Sequence, residues 1–137
     1  MARAGIGTVG HHAGEMLAKR TGLQFLHIPY KGAAPAITDL LGGQTDWMFA
    51  TPQAVIGMLS AGKLRALAVS SSKRIGVLAK VPTIAELGLK GFEATDWKVL
   101  VGPAGKPIEA VRLINEAATK ALLKPDLIQK FAEMAVR

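Results

Sequence analysis

The sequence contains no cysteine. That excludes disulfides, thiol nucleophiles and thiolate metal ligands but leaves the compartment open, since exported proteins also do without cysteine. Aromatic residues are scarce too, at 5% of the chain, and none stands between Ala50 and Gly91. Acidic residues are absent from Trp47 to Ala85, a stretch that holds Lys63, Arg65, Lys73, Arg74 and Lys80. One-signed surface of that kind attracts nucleic acid, a membrane or small carboxylates. Proteins that grip single-stranded nucleic acid interleave aromatics with their cations. No nucleic-acid partner is therefore expected, and scattered solvated cations are the plain alternative. No window approaches the roughly eighteen uninterrupted apolar residues of a membrane-spanning helix.

Catalytic and metal-binding patterns are missing as well. There is no G-x-S-x-G elbow, Ser70, Ser71 and Ser72 lie far along the chain from any histidine, and Glu15, Asp39 and Asp46 are isolated carboxylates. No catalytic residue is assigned and an enzyme is not expected. His11 and His12 are neighbours that point in different directions on a helix, and His27 reads as a packed strand residue, so neither a metal site nor a cofactor is expected.

What the 137 residues hold, at a 50% hydrophobic fraction, is material for one ordinary core. The organising stretch is residues 27–50, HIPYKGAAPAITDLLGGQTDWMFA. Residues 24–28 (QFLHI) have the apolar and aromatic run of a buried strand, and Tyr30, Lys31 and Gly32 break it. Residues 33–41 then carry Ile37, Leu40 and Leu41 at helical spacing, with Pro35 fitting the first turn. Gly42 and Gly43 stop that helix where positive φ is needed, before TDWMFA opens the next strand.

Elsewhere, residues 1–5 are too short for a convincing strand. Residues 11–20 form a helix with Ala13, Met16 and Leu17 on one face, Glu15 and Lys19 at i,i+4, and a cap at Thr8 or Gly10. Pro52 begins a helix through Leu59 that turns Val55, Ile56 and Leu59 inward and ends at Gly62. LRALAV follows as a strand, and Ser70 to Arg74 as a polar loop with the groups to hold an anion. Residues 82–87 read as a short helix closed by Gly88, and residues 92–101, with Trp97, as a longer strand or strand pair. After the linker GPAGKP, Pro107 opens a helix over residues 108–123 with Ile108, Val111, Ile114, Ala118, Ala121 and Leu122 on its apolar face. Lys124 and Pro125 break it, and Leu127, Ile128, Phe131 and Met134 mark a last helix. Alternating strands and helices predict an α/β fold with right-handed crossovers.

A helix that opens from a strand-end turn directs free N–H groups and the positive end of its dipole at one spot, which favours an anion. Two such turns, Gly7 to Gly10 and Tyr30 to Gly32, after neighbouring strands converge at one sheet edge and suit a small carboxylate. Residues 5–10 (GIGTVG) also match the letters of a dinucleotide fingerprint. The strand that motif requires is nearly absent, so a small nucleotide-binding domain or enzyme is the alternative reading.

The run GTVGHHAGEMLAKRTGLQFLHIPYKGAAPAITDLLGGQTDWMF, followed by AGKLRALAVSSSKR, VPTIAELGLKGFEATDW and GPAGKP, resembles the substrate-binding receptors of tripartite tricarboxylate transporters, the Bug family. The resemblance covers nearly the whole chain, and PYKGAAPAITDLLGGQ is its most specific block. It implies a lobe of the type II periplasmic-binding-protein fold, with a mainly parallel sheet flanked by helices. Residues 1–95 would be the second, ligand-binding lobe, and residues 96–137 the hinge return and helices of the first. It implies a periplasmic receptor that closes on a small carboxylate and presents it to a membrane permease. Carried over by position, the ligand-binding residues are Gly7, Thr8 and His11, then Tyr30, Lys31, Gly32, Ala33 and Ala34, then Ala50. Backbone amides are the expected donors, with Tyr30 and Lys31 side chains facing solvent or the permease.

Three departures qualify the resemblance. Val9 stands where the family often has proline, and Gly10 lacks a hydroxyl that some members carry. Ala50 replaces an acid found in some members, which favours a plain carboxylate over an amino-acid ligand. The family's N-terminal half has no counterpart in these residues. The expectation is therefore a truncated receptor, with weak or no binding by this chain alone and a homodimer or strand-exchanged dimer formed through exposed edges.

Overall fold

The computed structural model describes residues 1–5, 7–97 and 99–133. Its chain divides into two compact units, Met1–Asp96 and Trp97–Arg137. In the first, the order is β1 (Ala2–Arg3), α1 (Val9–Thr21), β2 (Ile28–Pro29), α2 (Ala33–Leu41) and α3 (Pro52–Ser60), then a single 3-10 turn at Gly76–Leu78. The second carries α4 (Ile108–Leu122) and α5 (Pro125–Glu133). This is an α/β lobe in which every recorded strand pairing is parallel.

β1 lies in the middle. Ala2 pairs with Ile28 of β2 on one side and bridges Met48 on the other, and Arg3 pairs with Pro29. The first residues, expected to be too short for a strand, therefore make the central one. Their brevity limits everything beside them, because a strand can be no longer than its partner's row of donors and acceptors. Residues 24–28 pair only at Ile28 onward, with Leu26 79% exposed. The expected TDWMFA strand contracts to the Met48 bridge and a bond from the Ala2 N–H to the Trp47 carbonyl at 3.0 Å. LRALAV likewise contracts to a bridge between Val69 and Thr83. None of the described residues of 92–101 is in a strand; Trp97, Leu100 and Val101 are 77%, 77% and 81% exposed.

The helices fare better, since their bonds are local. α1 starts at Val9 with Thr8 as its cap, and ends at Gly22 in the left-handed region, φ +71°. α2 has the expected bounds, and Gly43, at φ +72°, makes the turn after it. Its buried residues are Ala36 and Ile37, whereas Leu41, expected on the apolar face, is exposed. Pro52 is the first residue of α3. The helix expected over 82–87 is one turn closed by a capping box: the Thr83 N–H donates to Glu86 Oε2 at 2.7 Å and the Glu86 N–H donates to Thr83 Oγ1 at 3.0 Å.

Ala13, Ile84 and Phe92 form the core cluster, with Met16, Leu17, Phe49, Ala68, Leu89 and Ala94 packed round it. Phe92 is the largest fully buried side chain, and its truncation to alanine would cost about 3 to 5 kcal/mol. In the second unit, α4 keeps its helical spacing and exposes most of its apolar face: Ile108, Val111, Ile114 and Leu122 are all exposed. Met134, expected to complete the α5 stripe, lies outside the described residues, as do Ile6 in the first glycine turn and Lys98 in the 92–101 segment.

Candidate functional site

Three turns leave the carboxyl ends of the three parallel segments, each running into a helix. After β1, Gly7 takes φ +79°, a conformation that glycine adopts without strain. Its N–H donates to His11 Nδ1 at 3.1 Å. Thr8 Oγ1 accepts from the His11 N–H at 3.3 Å while its own O–H donates to the Gly5 carbonyl at 3.0 Å. The Thr8 hydroxyl is thus engaged in both directions and serves the turn itself.

Because His11 Nδ1 is an acceptor, the hydrogen-bond pattern puts the ring proton on Nε2, which faces Glu15 Oε1 at 3.4 Å. His27 Nε2 meets the same oxygen at 3.3 Å. Glu15 therefore joins two imidazoles, and among the described ion pairs it has none with Lys19. The His11 and His12 rings, expected to diverge, stack with centroids 5.5 Å apart and planes 24° apart. The first helical turn leaves both side chains free to lean together, and stacked rings shield each other from water. His27 is packed as expected, its ring edge-on to His11 at 6.0 Å, with Nδ1 buried and without a partner. Among the described residues no group of His, Asp or Glu is arranged to hold a metal.

After β2, the Tyr30 N–H donates to the Arg3 carbonyl and the Gly32 N–H to the Ala4 carbonyl, both at 3.0 Å. Gly32, at φ +113°, is the N-cap of α2, with no side-chain cap and no acid in the first turn. The N–H groups of Ala33 and Ala34 thus stand at an uncapped, positively polarised helix start. The Tyr30 side chain turns away from that start: its O–H donates to Asp39 Oδ2 at 2.8 Å. That bond, with burial and the Asp39 charge, holds the phenol above its ordinary range. Asp39, an isolated carboxylate in the sequence, is thus engaged. Lys31 is exposed.

Ala50 precedes the third start, where Thr51 caps α3 without a side-chain bond and again no acid follows. Gly10 ties α1 to this segment, because a methyl group there would lie 3.1 Å from the Phe49 carbonyl oxygen and 3.3 Å from Phe49 Cβ. The turns at Gly7 to His11, Tyr30 to Ala34 and Phe49 to Ala50 consequently gather at one edge of the parallel segments. The polar loop after Val69 is otherwise occupied: Ser70 Oγ donates to the Ala94 carbonyl at 2.7 Å, and Arg74 pairs with Glu86 at 3.0 Å.

Sequence reasoning passed over Arg3, the last residue of β1, because the strand before Gly5 was discounted. Its Nε is buried and has no hydrogen-bond partner. A base two residues ahead of Gly5 was the signal available. The aromatic cluster of Phe25, Trp47 and Phe49, with Leu17, Leu67 and Ala68, lines an apolar hollow of about 290 Å³.

The sequence model of the tripartite tricarboxylate transporter family receptor matches residues 1–137. A UPF0065 protein from the tcbD-tcbE intergenic region of Pseudomonas sp. (strain P51) is 37% identical over 137 residues, which are 99% of this chain and 41% of that protein. The solved structure of R. palustris Rpa4515 with adipate superposes with a TM-score of 0.92 at 33% identity, over 98% of this chain and 45% of that one. The periplasmic binding protein BugD gives 0.88 at 37% identity, over 98% and 45%. The chain thus spans less than half the length of these three proteins.

Proposed function

Since the chain belongs to the tripartite tricarboxylate transporter receptor family, we propose that it is the carboxylate-binding lobe of a periplasmic solute receptor that hands its ligand to a membrane permease. The observation that carries this reading is the uncapped, acid-free start of α2 beside the Gly7 and Ala50 turns. Gly7, Thr8, His11, Tyr30, Lys31, Gly32, Ala33, Ala34 and Ala50 form the proposed site. Backbone N–H groups of Ala33 and Ala34 are its main donors, His11 holds the Gly7 turn, and Tyr30 anchors the second turn to α2. With alanine at position 50 the site has no acid there for an ammonium group, which favours a plain carboxylate. Residues 1–95 make up this lobe, and residues 96–137 belong to the hinge return and the other lobe. The nucleotide-binding alternative draws no support from the family match.

Gly7, Lys31 and Ala34 are exposed, so a carboxylate bound by these 137 residues keeps much of its water. Binding in the millimolar range, about −4 kcal/mol, is expected. Titrating the isolated chain with adipate and succinate while following backbone amide shifts tests the reading. Saturating shifts at Ala33 and Ala34 support it; unmoved amides there, or calorimetry giving micromolar affinity, refute it in site or in strength. The exposed Leu26, Trp97, Leu100 and Val101 favour association of two copies, which sedimentation analysis tests; a monomer at every concentration contradicts it.

A further inference from the structure

We propose that Arg3 is a ligand residue of this same site, supplying the cation that pairs with a carboxylate held at the helix starts. The inference rests on the carboxylate reading above and adds a side chain that the reading does not contain.

Strand residues alternate between faces. Met1 lies against Gly14 of α1, since a methyl group on that glycine would meet Met1 Cε and Sδ at 2.5 and 2.9 Å. Arg3, two residues on, faces the same α1 layer and stands nearer the carboxyl edge of the strand. Along that layer α1 runs back towards its own start, which brings its first turn, with His11, over the end of β1. The backbone of Arg3 is already tied to the second turn through the Tyr30 N–H. Arg3 thus sits where two of the three turns leave the sheet.

Among the described residues no acid pairs with it. Arg3 Nε is buried without a partner. The nearest acid along α1, Glu15, is shared by His11 and His27. The first turns of α1, α2 and α3 contain no acid. A guanidinium whose Nε is buried without a partner is costly for the fold. Its planar fork matches a carboxylate in two-point contact. With no acceptor for its Nε among the described residues, this arginine is set for an external anion.

The test uses the 137-residue chain, its Arg side-chain Nε–Hε signals and its backbone amides, titrated with adipate, succinate and chloride. In the wild type the Arg3 Nε–Hε signal is expected to shift saturably with either dicarboxylate, in step with Ala33 and Ala34. Arg3→Gln should weaken binding at least about tenfold, and Arg3→Lys by less, because it keeps the charge and loses the fork. Arg3→Met should melt no lower than the wild type, an outcome that a structural role for Arg3 would reverse. If the amides respond with unchanged affinity in Arg3→Gln, the assignment of Arg3 falls and the loop site stands. Where neither signal moves up to about 50 mM, far above a millimolar dissociation constant, both readings fall. An equal shift with chloride overturns a carboxylate-directed role. Since the Nε–Hε readout is made on the wild type, a variant that fails to fold leaves the proposal testable.

Discussion

Replacing Ala34 by glutamate should move stability and binding in opposite directions. Ala34 is the second residue of α2, exposed, in a first turn with neither a side-chain cap nor an acid. A carboxylate placed there complements the helix dipole and should stabilise the fold by about 0.3 to 1 kcal/mol. For a domain of this size that raises Tm by roughly 1 to 4 °C. The same charge would stand about 4 Å from an anion seated on the α2 start. At that distance repulsion runs from about 1 kcal/mol in a watery setting to about 4 kcal/mol near a protein surface. The expected loss of affinity is therefore between about fivefold and a thousandfold. Ala34→Gln, with similar helix propensity and no charge, should bind within about twofold of the wild type if these terms alone matter. Thermal melts and dicarboxylate titrations on the three proteins provide the measurements. Unchanged affinity in Ala34→Glu would show that no anion sits at α2, and a lower Tm would show that the helix start is already capped.

Three further outcomes follow from the hydrogen bonds. Glu86 is held below its ordinary 4.5, first by the Thr83 N–H and then by Arg74. Its stabilisation is present above the unfolded value and is lost as pH falls through the lowered folded value; Glu86→Gln should flatten the acid limb of a Tm–pH curve below 4.5. Thr83→Ala removes the other half of the capping box, at about 1 kcal/mol, and an unchanged Tm would contradict that account. Tyr30 is the sole tyrosine, so near-ultraviolet titration reads it alone. Its midpoint should lie above 10.0 and fall back towards it in Asp39→Asn. Stability tied to this phenol is full below 10.0 and is lost as pH rises through the raised value. A midpoint that ignores Asp39→Asn would break the assignment.

The helices were legible because their signals are local. Thr8, Gly43, Pro52, Pro107 and Pro125 each act within a turn of where they stand, and the structure places a boundary at or beside every one. Strands were not, because an apolar run such as residues 64–69 becomes a ladder only if another segment lies alongside it, which spacing within the run does not report. The same limit decided the site. Its turns could be read from glycines and from the family resemblance, since positive φ is a property of single residues. Arg3 was hidden because its importance depends on the absence of an acid around it in space. The Tyr30 to Asp39 bond was hidden for a related reason: the nine-residue separation crosses from a turn into a helix.

Glu15 has a consequence for how this protein would behave under genetic dissection. Gly7, His11, Glu15 and His27 form a relay of contacts from the first turn to the segment before β2. A random-mutagenesis screen scored on the proposed carboxylate binding is expected to recover His27 and Glu15 beside the proposed ligand residues, although the relay joins them to that site only through His11. The phenotypic map of the receptor would then be broader than its contact map, and the excess would trace a line along one face of α1.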